Sequence, residues 1–597
     1  MTGSGFGTEL FLGRLRTDLL ALPGGVPLGL DGAEEEFLAR LRRFCVREVD
    51  GHLVERTGSI PDGVIEGLKD LGALAVRVPR EYGGLGFSAA CYHRALMLVS
   101  SVHSSLGELL AAHQAIGLAQ PLVLFGTEEQ KRAFLPRCVR EISAFALTEA
   151  ELGNDPFQVR TTAVHDPATD TYTLDGVKLW ATNGVVADLL VVLARVPESG
   201  ADPGGTTAFV VEADSPGVTV EHRCEFLGLR GLENGVVRLH EVTVPAFQRI
   251  GAHGAGLGIA LAAQDTGRLS LPAVCAAAAK WSVKIAREWA GVRVQGGRPV
   301  GEYDAVAGKL SFIAATAFAL EAMVETTGHH VGRPGTQVEA ELAKLFASEQ
   351  TWLVADELMQ IRGGRGYETA DSAVARGERG VPVERLLRDL RVGRIFDGSS
   401  EALRSYLAQA LLDRHRQAVY REPVPPGGPR FTGRLEEHLR SARRSAERVA
   451  ELLGAFAVRH DGASSDDHQR RLGRLIDIGA ELYAMAASCV YATAHAGTGE
   501  AAVELADAFC AQSRRRVEAL FAQLTENTDA GDRAVARRLL GGRYRWLEEG
   551  VVDASVDGPW IATPAPGPAT GPNVRRRVPK GRVPAAGGAV GVREGDR

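Results

Sequence analysis

The chain has 597 residues, 45% hydrophobic and 24% charged, with 70 glycines and a net charge of −6. At roughly 150 residues per domain that length allows three or four packed domains, and the composition excludes a disordered, coiled-coil or collagen-like chain. The mild acidity leaves no basic footprint for nucleic acid, and seven cysteines without a CxxC pair argue against a zinc site or a disulfide framework.

In chain order, residues 1–32 read as an N-terminal extension without the basic, apolar and small-residue layout of a signal peptide. Residues 33–140 carry helical periodicity. Glu34, Glu35 and Glu36 open one amphipathic run, and Thr127 is placed to cap another that begins at Glu128. Between 141 and 250 the pattern turns to short β-rich runs at 189–193, 206–211, 218–221 and 236–244, which suggests a small sandwich or barrel. Residues 251–415 return to long Ala/Leu-rich helices, read as a bundle. A Pro/Gly-rich linker at 416–431 precedes an appended helical domain at 432–555, and 556–597 reads as a disordered, solvated Pro/Gly/Arg tail. Helices on either side of a single β module make the fold α+β, not an alternating βαβ sheet. No uninterrupted apolar run reaches membrane-spanning length, so no transmembrane segment is expected and a reducing cytoplasm is the default home.

Generic motifs are absent: there is no GxxxxGK[ST], HExxH or GxSxG, and Gly254, Gly256 and Gly258 do not fit GxGxxG. His329 and His330 lack ligand-type neighbours at metal spacing and read as a surface feature at a helix end, so no metal site is expected. More specific are VPREYGGLG at 78–86, FGTEEQK at 125–131, ALTEAELGND at 146–155, KLWATNG at 178–184, RVQGGRP at 293–299, QIRGGRGY at 360–367 and IFDGSSE at 395–401. Glu384, Arg385, Arg388 and Asp389 stand between the last two. In this order and spacing they resemble the acyl-CoA dehydrogenase family over about 35–415, with its N-terminal helical domain, central β domain and C-terminal four-helix bundle. The helices at 432–550 resemble the domain appended in its very-long-chain branch.

The resemblance implies FAD. Phe145, Leu147, Thr148, Asn154, Trp180 and Thr182 would surround the flavin ring, where fixed donors stabilise the anionic reduced form. Arg293 would meet the pyrophosphate. Gln360, Gly363 and Gly364 would reach the FAD of a neighbouring subunit, and Gly398, Ser399 and Glu401 would cap it. Asn154, Asp265 and Arg268 fall where the family contacts its thioester substrate. The implied reaction is α,β-desaturation of an acyl-CoA or acyl-carrier thioester, with electrons passing to an electron-transfer flavoprotein, in a homodimer. The base would be Asp397, where most relatives carry the Glu of EGT. The slot some relatives use instead is Gly267, which has no base. Read from the residues alone, Asp397 could also be the N-cap of a helix starting near Ser400. The family's Pro after Thr-Glu is Ala150 here, and the Phe of its RxQFG is Gly296. Two other readings stay open: a flavin monooxygenase or oxidase on the same fold acting on a carrier-bound or other substrate, and a weak paralogue that only binds a partner.

Overall fold

The computed structural model describes residues 5–22, 29–153, 155, 158–199, 204–330, 335–417, 431–459, 468–495 and 500–579, apart from the side chains of residues 265 and 266. Asn154, the linker at 418–430 and the tail beyond 579 therefore lie outside the described residues.

The first helices form where caps and apolar spacing agree. Helix Gly32–Glu48 opens on a capping box: Asp31 Oδ1 accepts from Glu34 N at 2.8 Å, and Glu34 Oε2 accepts from Asp31 N at 3.1 Å. Phe37, Leu41 and Cys45, one turn apart, are its buried stripe. Thr127 and Gln130 make a second box at the head of helix Glu128–Cys138. Gln130 Nε2 then donates to the carbonyls of Phe247 (2.7 Å) and Arg249 (2.6 Å), tying the helical domain to the β domain.

Among the described residues the β domain holds eight strands: β1 Ser143–Ala146, β2 Thr162–Asp166, β3 Thr171–Ala181, β4 Leu189–Val196, β5 Gly205–Glu212, β6 Val218–Arg223, β7 Gly235–Pro245 and β8 Arg249–Ile250. Their order is β6-β7-β3-β2-β4-β5-β8, with β1 parallel to β4. The four strand runs read from sequence appear as β4 to β7; β1, β2 and β8 are short, and the 11-residue β3 stood out only through its KLWATNG motif. The continuous apolar run of β4 is explained by burial on both faces. Leu190, Val192 and Ala194 enter the core inside the β domain, and Leu189, Val191 and Leu193 enter a second core with Phe134 and Leu135 of the preceding helix.

Helices Gly256–Val292, Asp304–Gly328, Gln337–Arg362 and Ser400–Gln417 pack as a bundle. The appended helices Gly433–Arg459, Gln469–Ala494 and Ala501–Ala522 share one continuous core with it. The N-terminal extension joins this core through helix Phe6–Phe11. Phe6 packs on Tyr483 at 5.5 Å between ring centroids, and Phe11 occupies the space left by Gly479, with which a Cβ there would collide.

Among the described residues, four helices are long and apolar enough to cross a membrane: Ser104–Phe125, Gly256–Val292, Asp304–Gly328 and Gln469–Ala494. Their most apolar windows are 72%, 78%, 44% and 94% buried within the protein.

Two expectations need correction. His330 is buried, not a surface feature. The tail expected to be solvated from 556 is instead tied down over 565–579. Arg238 Nη1 donates to the carbonyls of Ala565 (2.7 Å) and Gly567 (3.1 Å), and Val574 N donates to Val220 O at 2.9 Å. Arg576 N donates to Val185 O at 2.8 Å, and its guanidinium pairs with Glu233 (2.6 Å) and Asp62. The basic residues that suggested a solvated tail thus meet acids presented by the folded body.

Candidate active site

Three groups of the expected residues occupy three places. The first is on the β domain. β1 delivers Phe145 and then Leu147 and Thr148, and the Thr148 carbonyl accepts from Leu179 N at 2.8 Å. The register of β3 against β7 shifts between Lys178 and Ala181, a bulge that gives Trp180 a φ of 56°. Its indole is turned outward and is 55% exposed, beside the half-buried Thr182. Asn183, buried with a φ of 65°, donates through Nδ2 to Leu109 O at 3.1 Å. Beneath this surface lies a pair that the motif reading did not single out. Lys178 Nζ reaches Glu149 Oε1 at 2.7 Å, Leu193 O at 2.7 Å and Leu147 O at 3.3 Å, and both side chains are buried. Burial pushes the Lys178 ammonium down and the Glu149 carboxylate up; their mutual attraction opposes both, and Glu149 ends below its ordinary value.

The second place is a cleft of about 430 Å³ lined by Trp289, Arg293, Arg362, Gly363, Gly364, Arg365 and Arg376, among others. Arg365 and Arg376 are paired with Glu378. Arg293 and Arg362 have no acidic partner among the described residues, and their guanidinium carbons lie 6.0 and 4.7 Å from the Trp289 ring centroid. Burial, and then the Arg365 charge, push the Arg362 pKa down against the pull of Glu378, and the cleft lining sets four arginines against one acid, Glu368. Such a donor set fits a diphosphate, with planar guanidinium forks facing anionic oxygens. Gly363, with φ 60° and no heavy atom within 4 Å of a Cβ built on it, leaves the backbone open to close approach. Arg293 and Gly363–Gly364 therefore share one cleft. Gln360 is exposed nearby but is not among its lining residues, and the cleft includes none of the β-domain group. Trp289, unnoticed in the sequence, is its platform; its Nε1 donates to Ile361 O at 3.1 Å. The signal was there, since Trp289 is one helical turn before Arg293.

The third place surrounds Asp397. Asp397 and Gly398 have φ of 51° and 91° in succession. The helix that follows is capped by Ser399, whose Oγ accepts from Ala402 N at 3.3 Å, so Asp397 is not the N-cap. Lys344 Nζ, buried, donates to Gly398 O at 2.6 Å. Arg268, also buried, pairs through Nη1 with Glu341 (2.9 Å), one turn before Lys344. A Cβ built on Gly267 would lie 4.0 Å from Asp397 Oδ2 and 2.8 Å from Ile116 Cγ2. Burial raises the Asp397 pKa; Lys344 and Arg268 pull against it. The Lys344 ammonium is pushed down to about 8, chiefly by burial. Glu401 is exposed on the helix beyond. Asp265 lies on helix Gly256–Val292 with its side chain outside the described residues, as is all of Asn154.

Three family models match in sequence order: acyl-CoA dehydrogenase N-terminal domain over 31–141, middle domain over 144–242 and C-terminal domain over 254–412. The chain belongs to the acyl-CoA dehydrogenase family. As a member it is an FAD-dependent oxidoreductase. It is similar to the probable acyl-CoA dehydrogenase FadE10 of Mycobacterium tuberculosis, at 50% identity over 96% of this chain and 94% of that one. The very long-chain specific acyl-CoA dehydrogenase of Homo sapiens is 30% identical over 87% of this chain and 84% of its own. A crystal structure of an acyl-CoA dehydrogenase complexed with FAD from Bacillus anthracis superposes with a TM-score of 0.73 at 25% identity, covering 92% of this chain and 96% of that one. These matches extend past 412 and so include the appended helices that distinguish this acyl-CoA dehydrogenase from a core-only chain.

Proposed function

We propose that this acyl-CoA dehydrogenase desaturates an acyl thioester at Cα–Cβ with Asp397 as the base. The observation that carries the reading is the half-buried Asp397 carboxylate, carried on a turn that Lys344 holds through the Gly398 carbonyl. An α-proton beside a thioester is a weak acid, so a base with a raised pKa in a dry site is suited to take it. FAD, when bound, supplies the acceptor for the β-hydride. Thr148, Trp180 and Thr182 would hold its ring, and Arg293, Arg362, Gly363 and Gly364 its diphosphate. Arg268 sits behind the Asp397 turn, paired with Glu341, and would act on the substrate through the local field more than by direct contact.

Among the described residues, the ring group and the diphosphate group do not line a common cleft within one chain, which supports a cofactor shared between two copies. We place the enzyme in the cytoplasm as a homodimer that passes electrons to an electron-transfer flavoprotein. The exposed apolar side chains Leu540, Trp546, Val552, Val556 and Trp560 support a covering partner copy.

The deciding experiment is anaerobic mixing of the yellow holoenzyme with a panel of acyl-CoAs. Flavin bleaching with at least one of them is expected. Asp397→Asn should keep its flavin and lose on the order of 10²–10⁴ in bleaching rate. A variant that bleaches as fast as the parent would remove Asp397 from the mechanism.

A further inference from the structure

Glu108 is a buried carboxylate that this mechanism does not use. It lies on helix Ser104–Ala111, every residue of which is buried, and is itself 8% exposed. Among the described residues its carboxylate has no hydrogen bond or ion pair. Leaving a carboxyl unpartnered inside a protein is costly, and such groups are normally satisfied.

Its position relates it to the reacting end of the site. Helix Ser104–Ala111 and the turn that continues it, Ala112–Ile116, run alongside helix Gly256–Val292. At one end Gly107 faces Val274, whose Cγ2 would lie 3.3 Å from a Cβ on that glycine. At the other end Ile116 faces Gly267, over which Asp397 Oδ2 lies. Seven residues of helix separate 267 from 274, about 10 Å at 1.5 Å per residue. Glu108 is therefore set further along the same helix pair than Asp397, and the charge of Asp397 reaches it through the interior.

We propose that Glu108 recognises a hydrogen-bonding substituent, a hydroxyl or keto oxygen, carried on the acyl chain several carbons beyond the reacting α-carbon. The inference rests on the acyl-thioester reading above and adds that the substrate is a functionalised acyl chain, not a plain hydrocarbon. Burial, and then the charges of Asp397 and Asp389, push the Glu108 carboxyl up to about 8. At neutral pH it is thus an uncharged acid that can donate as well as accept. A plain alkyl chain would leave that group without a partner, whereas a hydroxyl or keto oxygen would satisfy it.

The test compares kcat/KM of the holoenzyme for saturated acyl-CoAs with that for mid-chain hydroxy, keto and ω-hydroxy acyl-CoAs of the same length. The parent should prefer one of the oxygenated series by at least about tenfold, and Glu108→Leu should reverse the preference by gaining on the plain chain. Glu108→Gln, nearly isosteric, should keep it, and serves alone with the parent panel if the Leu variant does not fold. A parent that prefers plain chains, or a Leu variant that loses equally on both series, would overturn the proposal while leaving the dehydrogenase reading intact. If no acyl-CoA bleaches the flavin, the dehydrogenase reading itself has failed.

Discussion

The carboxylate of Asp397 is one methylene shorter than the Glu the family motif carries, and it is borne on two successive residues with positive φ. Asp tolerates that region better than most residues, because its short polar side chain bonds locally, and glycine tolerates it without penalty. Gly267 leaves the space before Oδ2 free, with Ile116 closing the other side. A Glu at 397 would carry its carboxylate one methylene further into that free space, away from where Asp397 holds it. Asp397→Glu should therefore lower kcat/KM on the order of a hundredfold, the cost of moving a catalytic group by about 1 Å. A gain would show instead that the site is tuned for Glu. The pH profile has a definite sign. The base acts deprotonated and burial raises its pKa, so kcat/KM should fall on the acid side through an inflection above the ordinary Asp value. An inflection at or below that value would mean the carboxylate is more solvated than the fold shows.

At the scale of elements, the surface proposed to hold the flavin ring depends on a bulge and on the pair beneath it. The motif KLWATNG was legible as a strand, which runs as far as Ala181, and the resemblance proposes its Trp and Thr as ring contacts. That Lys178 turns inward to Glu149 and two carbonyls was not, because the two residues are 29 apart in sequence and meet only when β1 and β3 come together. Breaking a buried ion pair from one side leaves an uncompensated charge and costs about 3–5 kcal/mol. Lys178→Met should therefore lower the melting temperature and the flavin content of the purified protein together. Normal flavin at a lowered melting temperature would confine the pair to stability. The departure at Gly296 is explained at this scale as well. Gly296 and Gly297 form the turn between short strands Val294–Gln295 and Arg298–Pro299, and a Cβ on Gly296 would lie 2.5 Å from Tyr303 Oη.

Across the whole molecule, the ends of the chain hold to its body. The N-terminal extension fills the appended domain through Phe6 and Phe11, and Arg575 and Arg576 bring the tail back to acids on the helical and β domains. Between them, residues 540–560 display apolar side chains that nothing in the described chain covers, with Trp560 fully exposed. Light scattering should report a dimer, and Leu540→Ser with Trp560→Ser should shift it toward monomer with loss of FAD. A monomeric parent would refute the shared cofactor.

The motifs and their order determined the family, the three-part core and the identity of the cofactor, because those depend on local backbone and on short spacings. Periodicity likewise located the helical blocks and strands β4 to β7, whereas the long β3 was legible only through its motif. Only the tertiary structure decided that Ser399, not Asp397, caps the last bundle helix, and that Arg293 and Gly363–Gly364 share a cleft on Trp289. It also decided that the basic tail is bound, because its partners Asp62, Asp188 and Glu233 lie hundreds of residues away. Glu108 shows the same limit: in sequence it is one acid in an apolar helix, and only the packing of that helix on Gly256–Val292 sets it toward Asp397.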